Sequence, residues 1–297
     1  MYPSPFAYHR PAGVAEAVAL LRAANGDARC LAGGQSLIPA MKFRLSQPGQ
    51  LVDLSGIAAL RGISLAQGQV SIGAMSTHRE VESSPVLAAQ LPYLARVAGH
   101  IADPQVRNRG TIGGSLANAD PAADYPASLL ALGGTVEVEG PDGPREIAAD
   151  DWALSLMSTA LAEGEIVTRI RFPLPVPGQG AAYVKVPHPA SRFAVVGIAA
   201  VLVLDAQGVC TGARIASTGI GETARRAPAT EALLVGEAVD ADRIARAAAR
   251  FAAEVEVMED GLLGEQAKRQ LGRMTLRKAL RDAAARAVAA TTSPRPA

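Results

Sequence analysis

The chain of 297 residues is predicted to have an α+β fold in two domains, because a linker separates two different patterns of elements. Helical and strand periodicities alternate as far as residue 172. The segment Pro173-Leu-Pro-Val-Pro-Gly178 then interrupts them, and its prolines and glycine are typical of a linker. Beyond it the pattern predicts three strands followed by three helices, at 181–186, 193–204, 209–217, 228–236, 240–255 and 265–289.

The first elements alternate between helix and strand. Apolar residues recur at helical spacing over 14–24, and Asn25-Gly26 supplies a C-cap. A strand over 30–32, a helical turn through Met41 and a strand over 51–54 are expected to follow. The turn Gln67-Gly68 predicts a hairpin that joins 61–66 to 69–73.

The remaining elements of the first domain are predicted from prolines and alternating patterns. A helical stretch over 77–100 is divided by Pro85 and Pro92, and a helix over 124–132 has Pro126 in its first turn. Strands are expected at 135–139, 145–148 and 165–172. In the second domain, the apolar run 193–204 is too short to span a bilayer as a helix, and its β-branched content predicts a buried strand.

Composition excludes several functional classes. A formal net charge of +1 argues against non-specific nucleic-acid binding. The two cysteines, Cys30 and Cys210, exclude a disulfide framework and a four-cysteine iron–sulfur site within the chain. The four histidines form no pattern typical of a hydrolase triad or a metal site. The N-terminus lacks the pattern of a signal peptide, so we expect a cytoplasmic protein without a transmembrane segment.

Two glycine-rich segments share one chemical character. Ala32-Gly-Gly-Gln-Ser36 and Thr111-Ile-Gly-Gly-Ser115 each pair adjacent glycines with a terminal hydroxyl residue, and each is expected to follow an extended segment. Adjacent glycines can adopt positive φ, so that successive backbone N–H groups converge on phosphate oxygens without a cation. Two such loops would hold a diphosphate between them, with hydroxyl donors from Ser36, Thr111 and Ser115.

Each loop by itself is also explained as an ordinary turn, because Gly-Gly dipeptides are common in turns. The occurrence of both favours the diphosphate hypothesis. Neither segment has the G-x-G-x-x-G spacing of a Rossmann site or the Gly-Lys-Ser/Thr of a P-loop. A nucleotide site here is therefore expected to be of another kind.

Over longer stretches, both segments resemble the FAD loops of molybdenum hydroxylase flavoprotein subunits. The first is AGGQSLIPAMKFRL from Ala32 to Leu45, and the second is QVRNRGTIGGSLANADPAADYP from Gln105 to Pro126. The resemblance extends over essentially the whole chain and is closer to the carbon monoxide dehydrogenase type than to the xanthine dehydrogenase type. It implies a two-part FAD-binding domain of the PCMH/VAO type over 1–176, split near residue 57. A C-terminal domain with a three-stranded antiparallel sheet and a three-helix bundle would follow over 177–290. The last residues, 291–297, would form a disordered tail.

The family's FAD contacts carry over to matching positions of this sequence. The resemblance implies that the glycine segments cradle the diphosphate, that Ile101 and Leu31 line the adenine or ribose side, and that Leu161 packs near the cofactor. Asp124 would accept hydrogen bonds from FAD hydroxyls, and Lys185 would reach the isoalloxazine, where a cation stabilises the reduced ring. The full set of implied contacts is Leu31, Ala32, Gly33, Gly34, Gln35, Ser36, Leu37, Ile101, Thr111, Ile112, Gly113, Gly114, Ser115, Asp124, Leu161, Lys185 and Phe193.

Three polar residues of the second segment, and Lys185, also have a structural interpretation. Asp124 could be only the N-cap of its helix, and Lys185 could be a surface lysine on a strand. Arg107 and Arg109 could either steer the diphosphate or frame their loop by hydrogen bonds.

Two positions depart from the family pattern. Gln35 stands where relatives often carry His, which we expect to have a modest effect because Gln still forms hydrogen bonds. Phe193 stands where close relatives often place Tyr beside the flavin. Phe can stack on the ring but cannot donate a phenolic hydrogen bond, so the flavin potential and the electron acceptor of the relatives do not carry over to this sequence, and neither does a literal assignment to carbon monoxide oxidation.

The resemblance implies an electron-transfer subunit with no catalytic residue or metal ligand of its own. FAD would receive electrons from the 2Fe–2S clusters of a small subunit, after substrate oxidation in a molybdenum-cofactor large subunit, and pass them to an external acceptor. A dimer of heterotrimers is expected, in the cytoplasm or at the inner membrane through the complex. The alternatives are a free-standing FAD-dependent oxidoreductase with its own substrate, and a scaffold subunit that has lost FAD.

Overall fold

A computed structural model describes residues 2–259 and 261–292. The N-terminal part is a small parallel sheet in the order β1-β3-β2, in which β1 and β2 both run parallel to the central strand β3. Helices α1 and α2 alternate with these strands, and Ala17 and Val18 of α1 are buried in a core with Val52 of β3. The elements are β1 (Ala7–His9), α1 (Val14–Ala23), β2 (Ala28–Leu31), α2 (Leu37–Lys42) and β3 (Gln50–Asp53).

The middle part is built on a five-stranded antiparallel sheet in the order β4-β5-β10-β6-β7. Its strands are β4 (Ile63–Ala66), β5 (Gln69–Gly73), β6 (Thr135–Gly140), β7 (Gly143–Ala148) and β10 (Ile166–Pro173). A short helix, α9 (Ala149–Trp152), and a small hairpin of β8 (Ala153–Ser155) with β9 (Ser158–Thr159) precede the last of them. The hairpin predicted around Gln67-Gly68 is confirmed, with both turn residues at positive φ.

A run of short helices connects β5 to β6. They are α3 (His78–Glu82), α4 (Pro85–Gln90), α5 (Pro92–Gly99), α6 (Pro104–Arg107), α7 (Ile112–Asn118) and α8 (Asp124–Leu132). Proline begins α4, α5 and α6, where its missing N–H costs nothing. Every residue of α8 is buried, because the helix lies between the five-stranded sheet and the C-terminal sheet.

The C-terminal part is an antiparallel sheet in the order β11-β12-β13-β14, with helices on one face. Its elements are β11 (Gln179–Pro187), β12 (Ala194–Leu204), β13 (Cys210–Thr218), β14 (Arg225–Arg226), α10 (Pro228–Ala232), α11 (Ala241–Glu254) and α12 (Glu265–Thr292). Alternate residues of β12 enter the two cores: Ala199 and Val201 face α8, whereas Ile198 and Ala200 face the helices. The predicted buried strand is therefore covered on both sides.

Two expectations about this part need correction. The sheet has a fourth, two-residue strand, because Arg225 and Arg226 pair with β13. Helix α11 contacts both α10 and α12, and α12 lies along β11 and β12. The helix also extends to Thr292, into the segment predicted to be disordered, and residues 293–297 lie outside the described residues. No helix in the described part of the chain is both long and apolar enough to cross a membrane.

Candidate functional site

A cavity of about 440 Å³ lies where the N-terminal sheet, the short helices and the C-terminal sheet meet. Most of the residues predicted to contact a ligand line it. They are Ala32, Gly33, Gly34, Gln35, Ser36, Leu37, Ile101, Thr111, Gly113, Gly114, Ser115, Asp124, Leu161 and Phe193. Leu31, Ile112 and Lys185 are not among the lining residues. Ile112 is fully buried in the core, and a Leu31 methyl lies 3.3 Å from where a Cβ of Gly34 would be.

The first glycine segment forms the tight turn that was expected. It leaves β2 and enters α2, and Gly34 has φ +74°, a conformation that L side chains rarely adopt. The backbone N–H groups of Gly34, Gln35, Ser36 and Leu37 have no acceptor within the described residues. Unpaired donors beside a cavity are suited to an anionic ligand such as a diphosphate.

The second glycine segment differs from the prediction. It follows helix α6 rather than an extended segment, and it forms the first turn of α7 with Thr111 as the N-cap. Neither Gly113 nor Gly114 has positive φ. The four amides at 112–115 already donate within the protein, to the carbonyls of Ser76, Ala74 and Thr111 and to the Thr111 hydroxyl. The prediction of two equivalent amide nests is therefore wrong, and free amides occur only in the first segment.

Close packing explains why the second segment needs glycine. A Cβ on Gly113 would lie 2.5 Å from the Ala74 Cβ, and one on Gly114 would lie 2.8 Å from the Thr111 Oγ1 and 3.3 Å from the Ala32 Cβ. The two segments thus approach each other through glycine. The hydroxyl of Ser115, which lines the cavity, remains available as a donor.

Replacing Gly114 with valine is therefore expected to displace Thr111 from its capping position and to weaken ligand binding in the cavity. The added side chain would meet the Thr111 hydroxyl that caps the helix. Titration of the FAD-free chain with FAD, followed by flavin fluorescence, measures the effect. An unchanged dissociation constant would show that the approach of the two segments does not matter for binding.

Asp124 lines the cavity and belongs to a buried polar cluster. Lys185 Nζ donates to Asp124 Oδ2 at 2.8 Å and to the His100 carbonyl at 3.1 Å, and the Tyr183 hydroxyl donates to Asp124 Oδ1 at 2.5 Å. The Lys185 and Asp124 side chains are only 2% and 4% exposed. Burial raises the pKa of the Asp124 carboxyl, and Lys185 and Tyr183 act in the opposite direction.

Two interpretations of this cluster are corrected by the structure. Ala123, not Asp124, is the N-cap of α8, and the Asp124 side chain points to β11 instead of capping its own helix. Lys185 is not a surface residue, and its ammonium is directed to Asp124 and the His100 carbonyl rather than lining the cavity. The strand β11 thus supplies a lysine and a tyrosine that hold one carboxylate in place.

Several wall residues were not predicted from the sequence. His78 lines the cavity, and burial, with a smaller contribution from Arg107, lowers its pKa to about 4, so its ring is neutral near pH 7. Burial raises the pKa of the Cys30 thiol, also in the wall, to about 12. Arg107 has the structural role that was one of its two alternatives. Its guanidinium donates to Glu82 and to the carbonyls of Ile101 and Ala102, and these hydrogen bonds fix the chain around it. No motif marks His78 or Cys30; a lone histidine or cysteine gives no signal without its neighbours in space.

These features define a class: a two-domain α+β protein with a glycine-walled cavity suited to a ligand that carries a diphosphate. Residues 4–175 match the family model described as the FAD binding domain in molybdopterin dehydrogenase, and residues 181–283 match the CO dehydrogenase flavoprotein C-terminal domain. The chain belongs to this family of FAD-binding flavoproteins of molybdopterin dehydrogenases, and FAD is its cofactor.

Named relatives resemble the chain over most of its length. It is 42% identical over 287 residues to the carbon monoxide dehydrogenase medium chain of Afipia carboxidovorans, which covers 97% of this chain and 99% of that one. It is 38% identical to the 6-hydroxypseudooxynicotine dehydrogenase complex subunit alpha of Paenarthrobacter nicotinovorans, over 84% of each chain. A solved structure of carbon monoxide dehydrogenase from Hydrogenophaga pseudoflava, lacking the Mo-pyranopterin moiety of the molybdenum cofactor, matches with a TM-score of 0.93. The match has 42% identity and covers 96% of this chain and 99% of that one.

The cavity fits FAD on two observations of the structure. The amides at 34–37 are donors without acceptors, as a diphosphate requires. The glycines on both sides leave space that a side chain would fill. The lining also combines apolar walls with a few fixed polar groups, which is typical of cofactor sites.

Proposed function

We propose that the chain is the electron-transfer subunit of a molybdenum-containing hydroxylase or dehydrogenase. The match of residues 4–175 to the family described as the FAD binding domain in molybdopterin dehydrogenase carries the proposal. Its partners would be a 2Fe–2S small subunit and a molybdenum-cofactor large subunit, in a cytoplasmic dimer of heterotrimers. FAD, when bound, supplies the redox chemistry that passes electrons from the small subunit to an external acceptor. The protein binds and orients it.

The residue roles that we propose follow the geometry of the cavity. The amides at 34–37 and the Ser115 hydroxyl bind the diphosphate, since they are donors at the wall without protein acceptors. Asp124 accepts hydrogen bonds from FAD hydroxyls, and Lys185 acts through Asp124 by holding its carboxylate. Phe193, at the mouth, stacks on the ring system.

We also propose that the chain divides near residue 176 and that its first part divides again near residue 57. The three-, five- and four-stranded sheets support this division, since the first ends at Asp53, the second at Pro173, and the third begins at Gln179. The cavity is lined from all three parts, so FAD binding would join them.

The subunit interpretation is favoured over a free-standing oxidoreductase. Relatives that cover 84% or more of this chain are named as the medium chain of one dehydrogenase and as a subunit of another complex. The names of these two complexes indicate different substrates, yet this chain resembles the flavoprotein of each complex. We infer that the substrate is recognised in a partner subunit and not in this chain.

The first test is whether the purified full-length chain binds FAD. We expect a yellow protein with a flavin absorption spectrum, or one that becomes yellow when FAD is added, with one FAD per chain. Isolation of the native complex should then recover a large subunit that contains molybdenum and a small subunit that contains iron. A chain that remains colourless after incubation with FAD would contradict the proposed function.

A further inference from the structure

The loop 188–193, between β11 and β12, forms part of the cavity mouth. Ser191, Arg192 and Phe193 of this loop line the cavity, and Phe193 is 42% exposed. The strands on either side are rigid, since β11 and β12 pair along almost their whole length. The conformation of the loop therefore decides where the Phe193 ring lies in the cavity wall.

The side chain of His188 organises this loop from within. Its Nδ1 accepts the backbone N–H groups of Ala190 and Ser191, both at 3.2 Å. The backbone of His188 closes the same loop, because its N–H donates to the Phe193 carbonyl at 2.7 Å and its carbonyl accepts from the Arg192 N–H at 2.9 Å. One residue thus takes part in four of the hydrogen bonds that shape the mouth.

The local sequence makes the loop depend on this side chain. Pro187 and Pro189 flank His188 and have no backbone N–H to donate. Arg192 has φ +60°, a left-handed conformation that is unfavourable for a residue with a Cβ. A loop that contains such a residue needs fixed partners on both sides, and the Nδ1 of His188 receives the two amides that precede Arg192.

We propose that His188 is a positioning residue that sets the placement of Phe193 over the flavin. Because Nδ1 is the acceptor of two N–H groups, it carries no proton, and the ring proton is on Nε2. His188 does not line the cavity itself and acts only through the loop. The inference rests on the proposed function in one respect: FAD must occupy the cavity beside Phe193.

Two amide substitutions test the role of Nδ1. The Oδ1 of His188→Asn stands at the same position along the side chain as Nδ1 and can accept an N–H two residues ahead. The Oε1 of His188→Gln is one methylene further out and matches Nε2 instead. The full-length chain loaded with FAD is examined by iodide quenching of flavin fluorescence and by visible circular dichroism of the flavin. Thermal unfolding confirms that both variants are folded.

His188→Gln is expected to increase the iodide quenching constant several-fold and to change the flavin dichroism, whereas His188→Asn should resemble the wild type. A purely structural role would not separate two amides of similar polarity. The effect should also disappear in a Phe193→Ala background, because His188 acts through that ring. Three outcomes would overturn this inference without affecting the proposed function. The wild type and both His188 variants could show equal quenching, or the two variants could show an equal change. The effect of His188→Gln on quenching could also be the same in the Phe193→Ala background. A wild-type chain that binds no FAD would overturn the proposed function.

Discussion

Replacing Lys185 with methionine is expected to lower the free energy of unfolding by about 3–5 kcal/mol, the usual cost of removing one partner of a buried ion pair. Methionine retains the length and apolar stem of the side chain but leaves the Asp124 carboxylate buried without its cation. The Tyr183 hydroxyl still donates to that carboxylate, but it carries no charge. Urea denaturation followed by circular dichroism measures the loss.

The loss should depend on pH, with a sign that follows from Asp124. Burial already raises the pKa of Asp124 above its ordinary value, and Lys185 opposes that shift. Without Lys185 the folded-state pKa rises further above the unfolded value. A group of this kind holds more protons in the folded state, so stability falls as pH rises through the window between the two values. The variant should therefore differ less from the wild type in acid than at neutral pH.

Lys278 provides a matched control. It forms an ion pair with Asp282 at 2.8 Å, the same distance as the pair of Lys185 with Asp124, but its side chain is 64% exposed. Lys278→Met is expected to cost no more than about 0.5 kcal/mol, as is usual for an exposed pair on a helix. If the two variants lost similar amounts of unfolding free energy, the buried pair of Lys185 with Asp124 would contribute no more to stability than an exposed pair.

Gly33→Ala is expected to weaken FAD binding by about 5- to 150-fold, because overpacking of a tight contact costs about 1–3 kcal/mol. An added Cβ would lie 2.3 Å from the Arg109 carbonyl oxygen and 2.6 Å from the Gly110 Cα. Both atoms belong to the backbone, so the two segments would have to move apart. Titration with FAD gives the dissociation constant.

Gly13→Ala is the matched control for that substitution. Gly13 has an extended backbone before α1, and a Cβ there would meet nothing within 4 Å. Its FAD affinity should equal that of the wild type. If Gly33→Ala also bound FAD as tightly as the wild type, the close approach of the first segment to residues 109–110 would not be needed for the site.

Local patterns predicted most of the elements correctly because each depends on neighbours in the chain. The helix over 14–24 ends at Asn25-Gly26, both at positive φ. The helical stretch over 77–100 is divided at Pro85 and Pro92 as expected, and each proline begins a new helix. The prediction of a loop at the second glycine segment is wrong, because the segment lies in helix α7 although two glycines weaken a helix in isolation. In the fold, contact with Ala74 and the Thr111 cap keep these glycines helical.

The role of Lys185 shows most clearly what local patterns omit. Nothing in the sequence around this lysine indicates that its partner is a carboxylate 61 positions away. The same limit applies to His78, whose neutral state arises from burial among residues that are distant in the chain.

The sequence by itself determined the α+β class and the glycine segments, because glycine, proline and alternating apolar residues restrict the backbone wherever they occur. Its resemblance over two long motifs indicated the family. Only the tertiary structure decided which donors remain free, which residues reach the cavity and which charge pairs with Asp124. The physical reason is that hydrogen bonds and burial are shared among elements. The backbone N–H of Gly113 donates to the Ala74 carbonyl, whereas the backbone N–H of Gln35 has no protein acceptor among the described residues and can bind a ligand.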